Sequence, residues 1–208
     1  MTVAALYVQT GGCYFGLPDV DPWDEQRDAR LYAGPHPVVA HPPCARWGSY
    51  WFGSPSGGPR FELGGDGGCF EAALASVRRF GGALEHPARS KAWDWFGIGR
   101  PTVGGGWQAT LCGGWTCQVD QGHYGHRAAK PTWLYVHGAR TPPELVWGRA
   151  LGKTAKIDIG ARSKEERARI IRRGQVELLS KRERAATPIE FRDVLLSIAR
   201  SCHSTARA

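Results

Sequence analysis

The chain has 208 residues, of which 42% are hydrophobic and 22% charged, and this composition is typical of a globular domain and excludes a wholly disordered chain. No stretch approaches the roughly 18 consecutive apolar residues of a membrane helix, and the N-terminus lacks the basic region of a secretory signal. The six cysteines are irregularly spaced, which indicates reduced thiols and not a disulfide framework. We therefore expect a cytoplasmic protein that does not span a membrane.

Positive charge is concentrated in the second half of the chain. Residues 1–100 contain 9 Lys and Arg against 10 Asp and Glu, and residues 101–208 contain 18 against 9, which together give the net charge of +8. A basic surplus confined to one half is typical of a surface that binds a polyanion, most simply nucleic acid. A solvated basic helix would give the same surplus.

Short apolar runs predict buried strands in the first half, at 4–9, at 37–40 and from Ala83-Leu84 to Glu85-His86-Pro87. A helix precedes the last of them, capped by Asp66 and ended by Gly81-Gly82. One face of this helix is apolar, formed by Phe70, Leu74, Val77 and Phe80. The alternation of strand and helix predicts an α/β fold with a mostly parallel sheet.

The second half predicts a hairpin followed by helices. Residues 115–120 and 132–137 indicate two antiparallel strands at the edge of the sheet. Residues 162–184 indicate a basic helical stretch interrupted by Gly174. An amphipathic helix at 188–200 is expected to begin at a proline.

Two potentially reactive side chains follow predicted strand ends. Cys44 ends the sequence His41-Pro42-Pro43-Cys44 that follows the strand at 37–40, and Glu85 lies at the end of the next strand. Functional residues of parallel α/β sheets collect beyond the carboxyl ends of the strands. Taken singly, Cys44 is more often a small loop residue and Glu85 a helix cap or ion-pair partner. Their joint placement favours a shared site.

Four segments, in this order, resemble motifs of the DNA cytosine carbon-5 methyltransferases, and in particular the short, divergent members carried by phages. The segments are VVAHPPC at 38–44, GGALEHP at 81–87, GHRAAKPTWLYVHG at 125–138 and RERAATPIEFRDVLLSIAR at 182–200. The resemblance implies a truncated Rossmann-like methyltransferase sheet with an antiparallel edge hairpin and a small basic helical C-terminal region. It also implies one-carbon transfer to cytosine in DNA, in the cytoplasm of a bacterial host.

The resemblance divides the chain into three parts. Residues 1–138 would form the catalytic core, 139–186 a basic insert that contacts DNA, and 187–208 a C-terminal helix that packs back on the core. The large target-recognition domain of full-length relatives has no room in the insert, so short or degenerate sequence specificity is expected.

The resemblance also implies three catalytic residues, which are Cys44, Glu85 and Arg127. The Cys44 thiolate would add to carbon-6 of the ring, and Glu85 would act as an acid at nitrogen 3 and contact the amino group. Arg127 would hold the flipped base or a nearby phosphate, although the glutamine of the family's Gln-x-Arg-x-Arg loop is missing here. Arg46 would help to lower the pKa of the thiol. Residues expected to bind DNA are Arg46, Lys130, Arg167, Arg169, Arg172 and Arg173.

S-adenosylmethionine is the donor that the resemblance implies, and its expected contacts are Gly11, Gly12, Tyr14, Asp21 and Trp23. However, only about 30 residues separate the first strand from the Pro-Pro-Cys loop, and two helix–strand crossovers of at least ~10–12 residues hardly fit there. The donor pocket is then rebuilt from 11–28, or the donor is different. The alternative is 5,10-methylenetetrahydrofolate, which would give a DNA cytosine hydroxymethyltransferase with the same thiolate chemistry.

Two further functions stay open. An inactive relative would serve only as a DNA-binding protein. A small zinc-stabilised nucleic-acid-binding module is also compatible with the ligand types of Cys112, Cys117, His123 and His126. Because Cys117 falls inside a predicted strand, we expect no metal.

Overall fold

The computed structural model describes residues 1–53, 60–158, 160–161, 163–173 and 177–202. Within these residues, seven strands form the main sheet and two form a second sheet. The strands of the main sheet are β1 (Val3–Leu6), β2 (Val20–Trp23), β3 (Val38–Ala40), β4 (Gly82–Pro87), β5 (Gln108–Ala109), β6 (Trp115–Asp120) and β7 (Pro131–His137). The second sheet pairs β8 (Ala155–Lys156) with β9 (Glu177–Leu178). The α-helices are α1 (Cys69–Phe80), α2 (Ala92–Trp95), α3 (Lys164–Arg172), α4 (Lys181–Ala185) and α5 (Ile189–Ser201).

The main sheet has a parallel half and an antiparallel half. Its strand order is β2-β1-β3-β4-β7-β6-β5. Strands β2, β1, β3 and β4 are parallel, whereas β7 runs antiparallel to both β4 and β6. The carboxyl ends of β1, β3, β4 and β6 therefore lie at the same edge of the sheet as the amino end of β7. We call this edge the carboxyl edge.

Helices cover both faces of the sheet. One apolar cluster lies between α1 and the face that carries Leu6, Ala40 and Leu84. The other lies between α5 and the face that carries Val39 and Ala83. Strand residues alternate between the two clusters because successive side chains of a strand point to opposite faces. Each fully buried leucine contributes about 1.5–3 kcal/mol relative to an exposed one, so both helices are fixed on the sheet by apolar burial.

A glycine lets β4 lie close against β3. Gly82 has a φ of +129°, and a Cβ atom there would lie 1.9 Å from the carbonyl oxygen of Val38. Any other residue would force the two strands apart. The Gly81-Gly82 pair thus ends α1, as the sequence predicts, and also permits the pairing of β3 with β4.

The predicted α/β fold, with parallel strands and an antiparallel hairpin, is confirmed. The predicted position of the hairpin at the edge is wrong. Strand β7 lies inside the sheet between β4 and β6, and the two-residue strand β5 forms the edge. So short a strand carries little of the periodic pattern from which strands are predicted.

The first half differs most from the sequence expectation. The strand predicted at 4–9 ends at Leu6, because Tyr7 has a φ of +59° and interrupts the extended backbone. Strand β2 was not predicted, and its Pro22 is tolerated because β2 is an edge strand. Residues 7–19 and 24–37, all of which the structure describes, contain no α-helix and only a 3-10 turn at Ala29–Leu31.

The basic region is more broken than predicted. In place of one stretch, the structure has α3, β9 and α4, while Arg162 and Gly174 lie outside the described residues. Helix α3 buries none of its side chains. Helix α4 begins with a capping box between Ser180 and Glu183. In the part of the chain that the structure describes, no helix combines the length and apolarity needed to cross a bilayer.

Candidate active site

A cavity of about 850 Å³ opens at the carboxyl edge, and both Cys44 and Glu85 line it. Its other walls come from the loop after β1, from Lys130 and from the segment around α4. The two reactive side chains predicted from the sequence therefore face one space. A cavity of this size is within the range of pockets that hold a cofactor or a drug-sized ligand.

Strand register explains why these groups meet. Leu6 pairs with Ala40, and Ala40 pairs with Leu84. The residues that follow these three in the chain are Tyr7, His41 and Glu85. They therefore lie side by side across the sheet. Because side chains alternate, Glu85 lies on the opposite face of the sheet from Leu84 and α1.

The Glu85 carboxylate is buried, with 8% of the residue exposed, and both of its oxygens accept hydrogen bonds. His41 donates from Nδ1 to Oε2 over 2.9 Å, and Gln121 donates from Nε2 to Oε1 over 3.1 Å. Burial opposes ionisation of this carboxyl, but the hydrogen bond and charge of His41, together with the Lys130 charge, hold its pKa below the usual value. Glu85 is therefore an ionised acceptor with lone pairs left for a ligand.

The His41 ring is fixed at its other nitrogen as well. Nε2 lies 2.8 Å from the hydroxyl oxygen of Tyr14, a residue that is only 3% exposed. Nδ1 donates to Glu85, and Nε2 either accepts from the Tyr14 hydroxyl when the ring is neutral or donates to its oxygen when the ring is an imidazolium. Tyr14, His41, Glu85 and Gln121 form a continuous hydrogen-bonded row, and the first three of them line the cavity.

Cys44 lies in a turn in which its carbonyl oxygen accepts from the backbone N–H groups of Trp47 and Gly48. The residue as a whole is exposed, yet the surrounding protein partly desolvates its sulfur. This desolvation, with the nearby Glu85 charge, raises the pKa of the thiol, and the Lys130 ammonium acts in the opposite direction. The thiolate form is thus favoured by one cation and opposed by one anion.

Lys130 is that cation, and it lies directly before β7. Its ammonium donates to the carbonyl oxygen of Ala186 over 3.0 Å and interacts electrostatically with both Glu85 and Cys44. Burial lowers the pKa of Lys130, and the two acidic neighbours raise it. The sequence predicted Lys130 as a DNA contact, whereas the structure places it near the thiol and the carboxylate, at the site itself.

The structure does not bring Arg127 to this cavity. Its exposed guanidinium forms ion pairs with Glu177 in β9 and with Glu183 in α4. Two carboxylates already compensate its charge. Arg127 therefore ties the turn before β7 to the small sheet and to α4. Its expected catalytic role stays a prediction, and Lys130, three residues further on, is the cation that lies near the reactive groups.

Arg46 also points elsewhere. Its guanidinium stacks 4.0 Å above the centre of the Phe61 ring, outside the residues that line the cavity. The expectation that Arg46 lowers the pKa of the Cys44 thiol is corrected, because the lowering charge belongs to Lys130. A contact of Arg46 with DNA stays a prediction.

The residues expected to hold the donor fall into two groups. Gly11, Gly12 and Tyr14 line the cavity. Asp21 and Trp23 do not, because Asp21 accepts hydrogen bonds from the Trp23 indole over 2.8 Å and from Arg27 over 2.6 Å. Those two side chains belong to the edge strand β2 and are hydrogen-bonded to each other, so the structure does not bring them to the cavity; their role in donor binding stays a prediction.

Sequence reasoning missed His41 and Gln121 as site residues. His41 follows β3 directly and Gln121 follows β6 directly, so the carboxyl-edge rule applied to each strand end would have found both. The side chain of His86, the residue after Glu85, lies on the opposite face of the sheet, where its Nδ1 meets the Ser90 hydroxyl at 2.7 Å and burial lowers its pKa to about 4. The ring is neutral and packs under the Pro-Pro-Cys loop.

The four arginines of the basic region do not line the cavity. They lie on or directly after α3: Arg167, Arg169, Arg172 and Arg173. None of the ion pairs between described residues uses them. Their charges are therefore free to meet a polyanion. Helix α4 contributes two further cations to the lining of the cavity, Arg182 and Arg184.

The side chains considered for zinc do not converge. Cys112 precedes β6 and the two histidines follow it, while Cys117 is buried within the strand. Among the described residues, no three His, Cys, Asp or Glu side chains are grouped so that they could hold a metal ion.

Comparison with known proteins identifies no family: neither a protein-family model nor a curated protein sequence matches this chain.

The electrostatics of the thiol can be tested by alkylation. We expect Lys130→Gln to slow the reaction of Cys44 with iodoacetamide at mildly alkaline pH by roughly threefold to tenfold, because the pKa of the thiol rises when the cation is removed. Glu85→Gln should accelerate the reaction by a similar factor. The measurement is the rate of modification of the Cys44 peptide by mass spectrometry.

Arg46→Gln is the matched control for alkylation, since it removes the same charge two residues from the thiol. Its rate should equal that of the wild type. Equal slowing in Arg46→Gln and Lys130→Gln would contradict the assignment of Lys130 as the cation of the site.

Proposed function

We propose that the protein is a DNA cytosine carbon-5 one-carbon transferase that acts by adding the Cys44 thiolate to carbon-6 of an extruded cytosine. The observation that carries the proposal is the convergence of Cys44, Glu85 and Lys130 on one cavity at the carboxyl edge. A thiol, a buried carboxylate and a cation in one open cavity suit covalent catalysis on a ring with a polar edge.

The chemistry assigns each group a task. Addition of the thiolate at carbon-6 breaks the aromaticity of the ring and makes carbon-5 a nucleophile, which attacks the donor carbon. Glu85 accepts from the amino group and relays to nitrogen 3 a proton that it takes up from a neighbouring donor, so that negative charge does not build up on the ring. A base then removes the proton from carbon-5, nitrogen 3 gives its proton back along the path by which it came, and the carbon–sulfur bond breaks to release the product and the Cys44 thiolate.

The arrangement of the sheet supports the same proposal. We assign the sheet to the truncated Rossmann-like methyltransferase class, because its cavity lies beyond the carboxyl ends of β1, β3 and β4. The C-terminal segment that resembles the family's last motif begins at Arg182, and its first residues line the cavity. All four resembling segments thus lie at or beside one site.

For the donor we propose S-adenosylmethionine, held by the loop after β1. The fit rests on the position of Gly11, Gly12 and Tyr14 in the cavity wall, next to the Pro-Pro-Cys loop. A Cβ atom on Gly11 would meet no atom within 4 Å, so the backbone there is open to a ligand. The donor supplies an electrophilic carbon, and these residues would hold it beside the thiol.

One observation favours the alternative donor, 5,10-methylenetetrahydrofolate. Arg182 and Arg184 line the cavity, and cations there suit the carboxylates at the tail of 5,10-methylenetetrahydrofolate. The enzyme would then be a DNA cytosine hydroxymethyltransferase. Thiolate addition by Cys44 is the same for both donors.

Covalent trapping tests the proposed reaction. We expect a denaturation-stable adduct between the wild type and DNA that contains 5-fluorocytosine, with S-adenosylmethionine and methylenetetrahydrofolate supplied in separate reactions, because fluorine at carbon-5 blocks the final elimination. Cys44→Ser should form no adduct, and Glu85→Gln should form it about 100-fold more slowly. Adducts are measured on denaturing gels and by mass spectrometry.

Cys112→Ser is the control for trapping, since Cys112 is the other exposed cysteine among the described residues. This variant should react like the wild type. If the folded wild type forms no adduct with either donor, the enzymatic proposal fails and a role in DNA binding alone is left.

The salt dependence of DNA binding tests the role of the four arginines on and after α3. Replacing Arg167, Arg169, Arg172 and Arg173 with alanine should weaken binding and reduce the slope of log K against log salt by about 0.9 for each phosphate that is no longer neutralised. The same four positions changed to lysine keep the charge and should keep most of the slope. Equal slopes for the wild type and the alanine variant would show that these residues are only a solvated surface.

A further inference from the structure

Glu85 has two hydrogen-bonding neighbours of different kinds. Gln121 is fully buried and its amide does not titrate, so its donation to Oε1 fixes only the orientation of the carboxylate. His41 donates to Oε2, and imidazole is the side-chain group that gains or loses a proton most readily under physiological conditions. The hydrogen-bonded pair of His41 and Glu85 can therefore gain or lose one proton while its heavy atoms keep their positions.

We propose that His41 is a positioning residue that supplies, through Glu85, the proton that nitrogen 3 of the target cytosine takes up when the thiolate adds. The inference rests on the proposed function and deepens it, because it assigns the source of that proton. Histidine lies three residues before the cysteine in the same loop, so one segment would carry both the nucleophile and the proton source.

The proton balance is simple. In the proposed step the ring of His41 starts as an imidazolium, with Nδ1–H on Glu85 Oε2 and Nε2–H on the oxygen of Tyr14. As the carbon–sulfur bond forms, nitrogen 3 takes a proton from Glu85, and Glu85 takes the Nδ1 proton of His41. His41 ends as the neutral tautomer that carries its proton on Nε2. When the thiolate leaves, nitrogen 3 loses its proton and the same path runs in reverse.

The other titratable groups around the His41 ring do not replace His41 as the source of the proton. Burial raises the pKa of Tyr14 well above its usual value, so this hydroxyl keeps its proton and serves to hold the ring. Lys130, Cys44 and His86 are the other titratable groups whose charges interact with Glu85, and in the described part of the chain no hydrogen bond joins any of them to its carboxylate. Of the charged and titratable side chains that the structure describes at this wall, His41 alone is hydrogen-bonded to the carboxylate.

The test is the pH profile of adduct formation on 5-fluorocytosine DNA under single-turnover conditions. His41→Asn keeps an N–H donor near the carboxylate but cannot release a proton. We expect it to react about 100-fold more slowly than the wild type near neutral pH, with unchanged affinity for DNA. The wild-type rate should fall on the alkaline side as the imidazolium is lost, whereas the His41→Asn rate should lack that fall and rise with pH as the Cys44 thiolate forms.

Two checks separate a proton source from a structural support. Alkylation of Cys44 in His41→Asn should match that of the wild type, which shows that the loop is intact. Tyr14→Phe should keep the alkaline fall, because Tyr14 holds the ring and does not supply the proton. A His41→Asn variant that reacts within threefold of the wild type, or with the same alkaline fall, overturns this inference alone. A wild type that forms no adduct overturns it together with the proposed function.

Discussion

Burial of the Glu85 carboxylate is the constraint on which the rest of the site depends. A buried charge is costly unless hydrogen bonds and an opposite charge compensate it. The compensating groups come from three different strand ends: His41 after β3, Gln121 after β6 and Lys130 before β7. The strand order brings these ends together at the carboxyl edge. Satisfying one carboxylate therefore also places the loop that carries Cys44 beside it.

The charges of the site affect its two reactive groups, Glu85 and Cys44, in opposite ways. An ionised Glu85 suits recognition of an amino group, yet it disfavours the neighbouring Cys44 thiolate. Lys130 interacts with both and keeps the pair electrostatically compatible. Its ammonium also donates to Ala186, so the segment after α4 is tied to the site by a polar contact. Arg127 contributes a second tie to α4 through Glu183, at a distance from the chemistry.

The sequence predicted what depends on local pattern. Strand β6 has the predicted bounds, and the pairing of Cys44 with Glu85 followed from two successive strand ends. Strand β2 was missed because Asp21 and Pro22 interrupt the apolar pattern from which a strand is predicted. Its pairing also depends on β1, which is distant in the chain. The direction of Arg127 could not be predicted, since it is set by Glu177 and Glu183, about 50 residues away in the chain. Side-chain partners across such distances are fixed by tertiary structure.

Nucleoside mass spectrometry tests the central claim most directly. The protein would be expressed in a host that lacks cytosine modification, and the total DNA digested to nucleosides. The account predicts cytosine that carries one added methyl group, or one hydroxymethyl group if the donor is the folate, and neither product with Cys44→Ala. Unmodified cytosine in cells that contain the folded wild type would contradict it.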